Sequence, residues 1–137
     1  MAFIVWDDKY SVGIESIDYQ HKKLFNLVDK LYDAMLQKKD KDILGDILVE
    51  LIEYTSSHFS DEESHMMRHH YPEYNSHKKE HDALKDQVMA LFNKFDSEED
   101  VLSISIMNFL KDWLKIHILK SDLLYADYIV MFGLSVG

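Results

Sequence analysis

Cysteine is absent from this 137-residue chain. That one absence removes disulfides, zinc ribbons, iron–sulfur clusters and thiol catalysis together. Proline occurs once, as Pro72, and glycine four times. So few breakers favour an all-α fold. Long apolar runs are missing too. Met1-Ala-Phe-Ile-Val-Trp6 leads straight into Asp7-Asp8, which is no signal-peptide core, and no membrane insertion is expected. Positive charge is scarce: 15 Lys and Arg stand against 25 Asp and Glu, a formal net charge of -10. No basic stripe exists to neutralise phosphates, so nucleic acid is excluded as a partner. A cytoplasmic protein is the expectation. What the chain does have is apolar substance, 47% of its residues with 12% aromatic, enough to bury a core. Its length suits a single domain, 1–137.

The hydrophobic pattern divides the chain into an arm and a series of helices. Residues 1–16 lack a 3.6-residue period and contain Gly13; they read as an extended arm packing through Phe3, Val5 and Trp6. A first helix is expected from Asp18, as N-cap, to about Lys38, with Leu24, Phe25, Val28, Leu31, Tyr32 and Met35 inward and His21 on the same stripe. After a charged turn, a second helix from about Asp42 to His65 aligns Leu44, Ile47, Leu48, Leu51, Thr55, His58 and Glu62. Tyr71-Pro72 places a loop over 66–75, because the residue before a proline is pushed out of the α region. The third helix, 76–95, turns His77, His81, Leu84, Val88, Leu91 and Phe95 inward. Asp96-Ser97 reads as a turn and cap. The fourth helix, about 100–119, carries Ile106, Phe109 or Leu110, Trp113, Leu114 and His117 inward, and a short amphipathic helix, 123–132, closes the chain. Four such helices on short loops make an up-down-up-down bundle.

The seams of that bundle are polar in an unusual way. His21 stands alone; His58 is followed by Glu62, His77 by His81, and His117 by Asp122. Groups one helical turn apart lie on one face, ~6 Å apart along the axis, and point at the same place. The four sets fall at the start of helix one, the end of two, the start of three and the end of four. In an alternating bundle those termini share one end. A buried carboxylate or imidazole without a partner is costly, and imidazole with carboxylate is first-row transition-metal chemistry. Seven such side chains in one small volume therefore read as a di-metal site. His65, His69 and His70 lie beside the proline loop and read as solvated, and Glu63, Glu80, Lys78 and Lys79 as a solvated face.

With those residues in place, the chain resembles the hemerythrins, in particular the single-domain bacterial type. The matching text is Trp6 and Ser11-Val-Gly-Ile14, Ile17-Asp-Tyr-Gln-His-Lys22, His58-Phe-Ser-Asp-Glu-Glu63, Tyr71-Pro72, His77-Lys-Lys-Glu-His81, and Trp113 through Asp122. The resemblance implies a non-haem centre of two iron ions bridged by an oxo or hydroxo group, with O2 as ligand. It implies that His77, His81 and His117 hold one iron, His21 and His58 the other, and that Glu62 and Asp122 bridge them. It also implies that Phe59, Trp113, Leu114 and Ile118 wall the O2 pocket. With both carboxylates and one solvent-derived group bridging, the three-His iron has six ligands and the two-His iron five, leaving one position for a diatomic molecule. Reversible O2 binding for storage, delivery or sensing is thus expected of a monomer that is not an enzyme, with an oxygen-consuming enzyme as its partner. The alternatives are a di-iron enzyme of peroxidase, NO-handling or ferroxidase type, and a bundle holding zinc or manganese for structure.

Overall fold

The computed structural model describes residues 3–96 and 104–134. Five α-helices occupy them: α1 (Glu15–Leu36), α2 (Lys41–Arg68), α3 (Tyr74–Asp96), α4 (Ile104–His117) and α5 (Leu123–Met131). A π-helical turn, Ile118–Asp122, joins α4 to α5 without a break. α1 packs on α2 and α4, and α2 on α3. This is the expected four-helix bundle, with α5 prolonging its fourth rod.

The helix ends differ from the sequence reading for local reasons. α1 starts at Glu15 rather than at an Asp18 cap, and its N-cap residue Ile14 supplies no side-chain bond. Asp18 lies inside the first turns, where its carboxylate accepts from the Val12 N–H at 2.9 Å and from the Ser11 hydroxyl. It therefore ties the arm down, and Gly13, at φ 81°, supplies the left-handed corner that lets the arm fold back. Asp40 is the true cap of α2, accepting from the Ile43 N–H at 3.0 Å. α2 also runs one turn past His65, to Arg68. Its end is a left-handed cap: His70 sits at φ 55°, and the Tyr71 N–H reaches back to the Met66 carbonyl at 2.9 Å. α1 ends the same way at Lys38, and α5 at Gly133. The expected start of the fourth helix, near 100, and the Ser97 turn lie outside the described residues.

Burial follows the helical stripes. Leu31, Leu48 and Met107 are fully buried, and Leu24, Phe25, Val28, Leu51, Leu84 and Val88 join them in one core. One alternative is decided and one position is corrected. Leu110 faces the core and Phe109 is 40% exposed. In the arm, Val5 is 64% exposed while Ile4 is buried. Successive side chains of an extended segment point to opposite sides, so only one of the two can face inward. Phe3 stacks on Tyr32 at 3.9 Å, and Trp6 and Tyr10 meet Phe25 edge-on, which fixes the arm along α1.

Candidate metal centre

All seven side chains singled out from the sequence are buried together. His21 and His81 are 0% exposed and none exceeds the 4% of Glu62. α1 supplies His21, α2 supplies His58 and Glu62, α3 supplies His77 and His81, and the fourth rod supplies His117 and Asp122. The last pair needed a device the sequence reading did not foresee. His117 and Asp122 are five residues apart, not four. In a regular α-helix, residues five apart sit about 140° apart around the axis. The π turn absorbs the extra residue, its Leu123 N–H reaching back five positions to the Ile118 carbonyl. Both side chains then face the same point.

Two groups of donor atoms result, each gathered within 4.8 Å. One comprises Glu62, His77, His81, His117 and Asp122; the other comprises His21, His58, Glu62 and Asp122. The carboxylates belong to both. His77 Nε2 lies 3.0 Å from Asp122 Oδ1, His117 Nε2 3.1 Å from the same oxygen, and His21 Nε2 2.9 Å from Asp122 Oδ2. Yet His21 Nε2, His77 Nε2 and all four carboxylate oxygens have no hydrogen-bond partner. The atoms are near one another but not aimed at one another. Buried polar atoms that converge without bonding point to a shared occupant.

The outer ring nitrogens identify its charge. His81 Nδ1 lies 2.8 Å from Glu63 Oε2, and His117 Nδ1 lies 3.0 Å from Glu80 Oε1, which Ser121 also bonds. His58 Nδ1 meets the Gln20 amide oxygen at 2.5 Å. Each of these oxygens accepts, so each Nδ1 carries a proton, and each ring, once neutral, turns a bare lone pair inward. His81 Nε2 and His117 Nε2 then face each other at 3.0 Å. Two lone pairs at that distance repel unless a proton or a metal ion lies between them. Phe59 stacked on His81 at 3.7 Å and Trp113 stacked on His117 at 4.5 Å hold the ring planes. The residues fit a pair of first-row metal ions.

The family described as "Hemerythrin HHE cation binding domain" matches residues 12–129. The chain belongs to the hemerythrin family. It is 36% identical to a bacteriohemerythrin of Clostridium acetobutylicum over 129 residues, which is 90% of this chain and 98% of that one. A bacteriohemerythrin of Methylococcus capsulatus is 35% identical, over 92% of this chain and 96% of its own. A crystal structure of wild-type hemerythrin superposes with a TM-score of 0.87 at 33% identity, over 92% of this chain and 97% of the other.

The bracing residues are the part of this hemerythrin fold that sequence reasoning missed. Glu63 and Glu80 are not merely a solvated face; each fixes a ligand-type histidine. Gln20, Glu63 and Glu80 all stand next in sequence to a buried donor, and each braces a histidine on the following helix. That adjacency was the available signal. His65, His69 and His70 belong to neither donor set, though His65 and His69 are half-buried rather than solvated. Arg68 pairs with His65 Nδ1, His69 faces the Tyr125 hydroxyl, and His70 is committed to the left-handed cap of α2.

As protein groups alone, several of these side chains titrate far from their ordinary values. Burial works against charge on His77, but contacts with Asp122 and Glu62 outweigh it and push it up to about 9. On His117 burial is likewise overcome, by the charge of Asp122 and by contacts with Asp122 and Glu80, and it rises to about 10. Burial holds His58 down at about 4 and His81 at about 3. Glu62 is raised by burial and by the charge of Asp122. Burial would raise Asp122 too, but His117 holds it well below the carboxylate range. Hydrogen bonding to His117 brings Glu80 to about 2. The centre demands positive charge, and protons supply it when metal does not.

One turn below the converging donor side chains lies an apolar layer. Leu24, Thr55, Leu84 and Leu114 stand three residues from His21, His58, His81 and His117 respectively, and together they ring a cavity of about 30 Å³, close to one water's share of the liquid. Phe59 and Trp113 also line it. Ile118, expected in the same wall, is fully buried in the π turn but does not line this cavity.

Proposed function

We propose that His77, His81 and His117 hold one iron, that His21 and His58 hold the other, and that Glu62 and Asp122 bridge them in a centre that binds O2 reversibly, for storage, delivery or sensing. The observation that carries this reading is the inequality of the two donor sets, five protein groups against four with both carboxylates shared. An ion in the smaller set keeps the more open coordination sphere. Held in this way, an iron pair would supply the electrons that O2 binding needs.

The chain's own residues set the conditions. Glu63 and Glu80 keep the protons of His81 and His117 on Nδ1. Phe59, Trp113 and Leu114 line a cavity whose polar side-chain groups are the Thr55 hydroxyl and the Trp113 indole N–H, and Ile118 seals the core nearby. With no acid or base among its lining residues, such a wall excludes water and delivers no proton. That favours a carrier over a catalyst. No helix among the described residues is long and apolar enough to cross a membrane.

The test is an optical titration of the reduced, iron-loaded protein with O2, followed by vacuum. Uptake of one O2 per two irons, reversed under vacuum, is the expected result. Continuous O2 consumption in the presence of a reductant would replace the carrier with the enzyme reading. Leu114→Ala, which opens the wall, should speed autoxidation at least several-fold while leaving two irons bound.

A further inference from the structure

A second opening reaches the centre from another side, and it offers charged and polar groups that the apolar cavity lacks. It is a cleft of about 270 Å³ between α1, α2 and α5. Ser16 and Gln20, one turn apart on α1, face Asp61 and His65, one turn apart on α2, and Tyr125 completes the wall. All of these side chains carry oxygen or nitrogen, and Ile17 is the one apolar residue beside them. The floor of the cleft is Glu62, which is 4% exposed and has no hydrogen-bond partner for either carboxylate oxygen. Of the seven donor residues, Glu62 is the one that lines the cleft, and it belongs to both donor sets.

A buried centre must be filled from solvent, and the two approaches are not equivalent for a cation. Passing a hydrated dication through the leucine-lined layer would strip its water with nothing to replace it. In the cleft, oxygen atoms can replace that water in steps. Arg68 occupies His65 Nδ1, which leaves the proton on Nε2 and makes this ring a poor ligand. Asp61, exposed at the mouth, is then the charged group that meets an incoming ion.

We propose that this cleft is the port through which ferrous iron enters: Asp61 draws the hydrated ion to the mouth, and Glu62 receives it at the floor. O2 and iron would thus reach the centre by separate routes, one dry and one polar. The proposal rests on the iron-binding reading above.

The experiment follows the rate at which metal-free protein takes up ferrous ion under anaerobic conditions, with timed quenching by a chelator. Asp61→Asn should slow loading at least threefold and still reach two irons per chain. Raising the salt should slow the wild type more than the variant, because screening acts on the attraction the variant lacks. Asp86→Asn, an exposed acid on α3, should load at the wild-type rate. Equal rates for wild type and Asp61→Asn would overturn the port, as would equal slowing by Asp86→Asn, which would mean that net charge alone matters. Ser16→Lys places an ammonium on the opposite wall and should also slow loading, which guards against a folding defect peculiar to the Asp61 variant. If the wild type takes up no iron at all, the functional reading fails, and that outcome is distinct from wild type and variant loading alike.

Discussion

A histidine that must offer Nε2 to a metal has to keep its proton on Nδ1, and an acceptor opposite Nδ1 keeps it there. Glu80 does this for His117 and Glu63 for His81. Glu80→Ala should therefore weaken iron binding by roughly 10–100-fold, the usual effect of losing such a partner. Saturating iron should still give two per chain, as read by competition with a chelator. His77→Ala, which removes a donor itself, should lower the stoichiometry. His69→Ala and His70→Ala should change neither quantity. The donors were legible in the sequence because buried charge on a helical seam has no bland explanation. The braces were not, because Glu80 retains 45% side-chain exposure and a position at a helix edge looks like ordinary surface.

The same residues set a pH dependence with a definite sign. His77 and His117, pushed up to about 9 and about 10, are charged at neutral pH in the metal-free protein. Iron must displace those protons, so loading at pH 7 should release about two of them through these rings. Apparent affinity should rise with pH and level off near pH 10. An affinity flat between pH 7 and 9 would contradict the assignment. For the metal-free fold the sign reverses. A raised histidine stabilises fully below its unfolded value of about 6.5 and ceases to as pH passes its folded value. The melting temperature of the metal-free protein should therefore fall between pH 6.5 and 10.

Among the elements, the π turn separates what the pattern shows from what it hides. Along the fourth rod, Met107, Leu110, Leu114 and His117 are buried at spacings of three, four and three; Ile118, one residue on, starts a second buried run with Asp122, Tyr125 and Ile129 at spacings of four, three and four. That single slip is present in the sequence, but a reading that treats His117 and Asp122 as ordinary helical neighbours passes over it. Deleting Lys120, which is exposed, should let a regular α-helix form in phase on both sides. The metal-free protein should then melt no lower than the wild type. Iron affinity should fall at least tenfold: the pair would still share a face, but a regular turn would shift the Asp122 carboxylate from its π-turn position by more than the ~0.2 Å that donor distances allow. Loss of both properties, or of neither, would show that the turn is not there to place Asp122.

At the scale of the whole molecule, the bundle divides into an apolar half and a polar half. Leu31, Leu48 and Met107, all 0% exposed, lie toward the helix ends remote from the donors and hold that half without help. Leu48→Ala should cost about 2–5 kcal/mol with or without iron. The donor half depends on metal to satisfy its converging lone pairs. Removing iron should lower the melting temperature and speed amide exchange around His21, His58, His77 and His117, while amides near Leu48 stay protected. Uniform exchange across the bundle would count against this division. Periodicity made the four-rod plan legible, because 3.6-residue stripes are long-range signals. Helix ends were less so: they depend on caps such as Asp40 and His70, where one residue's backbone angle decides.

The bracing bonds share a direction along the chain. Gln20 comes before His58, Glu63 before His81, and Glu80 before His117. During synthesis, each of these imidazoles thus emerges after the group that will set its proton. Asp122, a member of both donor sets, emerges last of the seven. Until it appears neither set is complete, so a half-made chain on the ribosome can hold a stray ion only loosely. The order of residues acts as a clock, and the centre closes when the fourth rod is nearly finished.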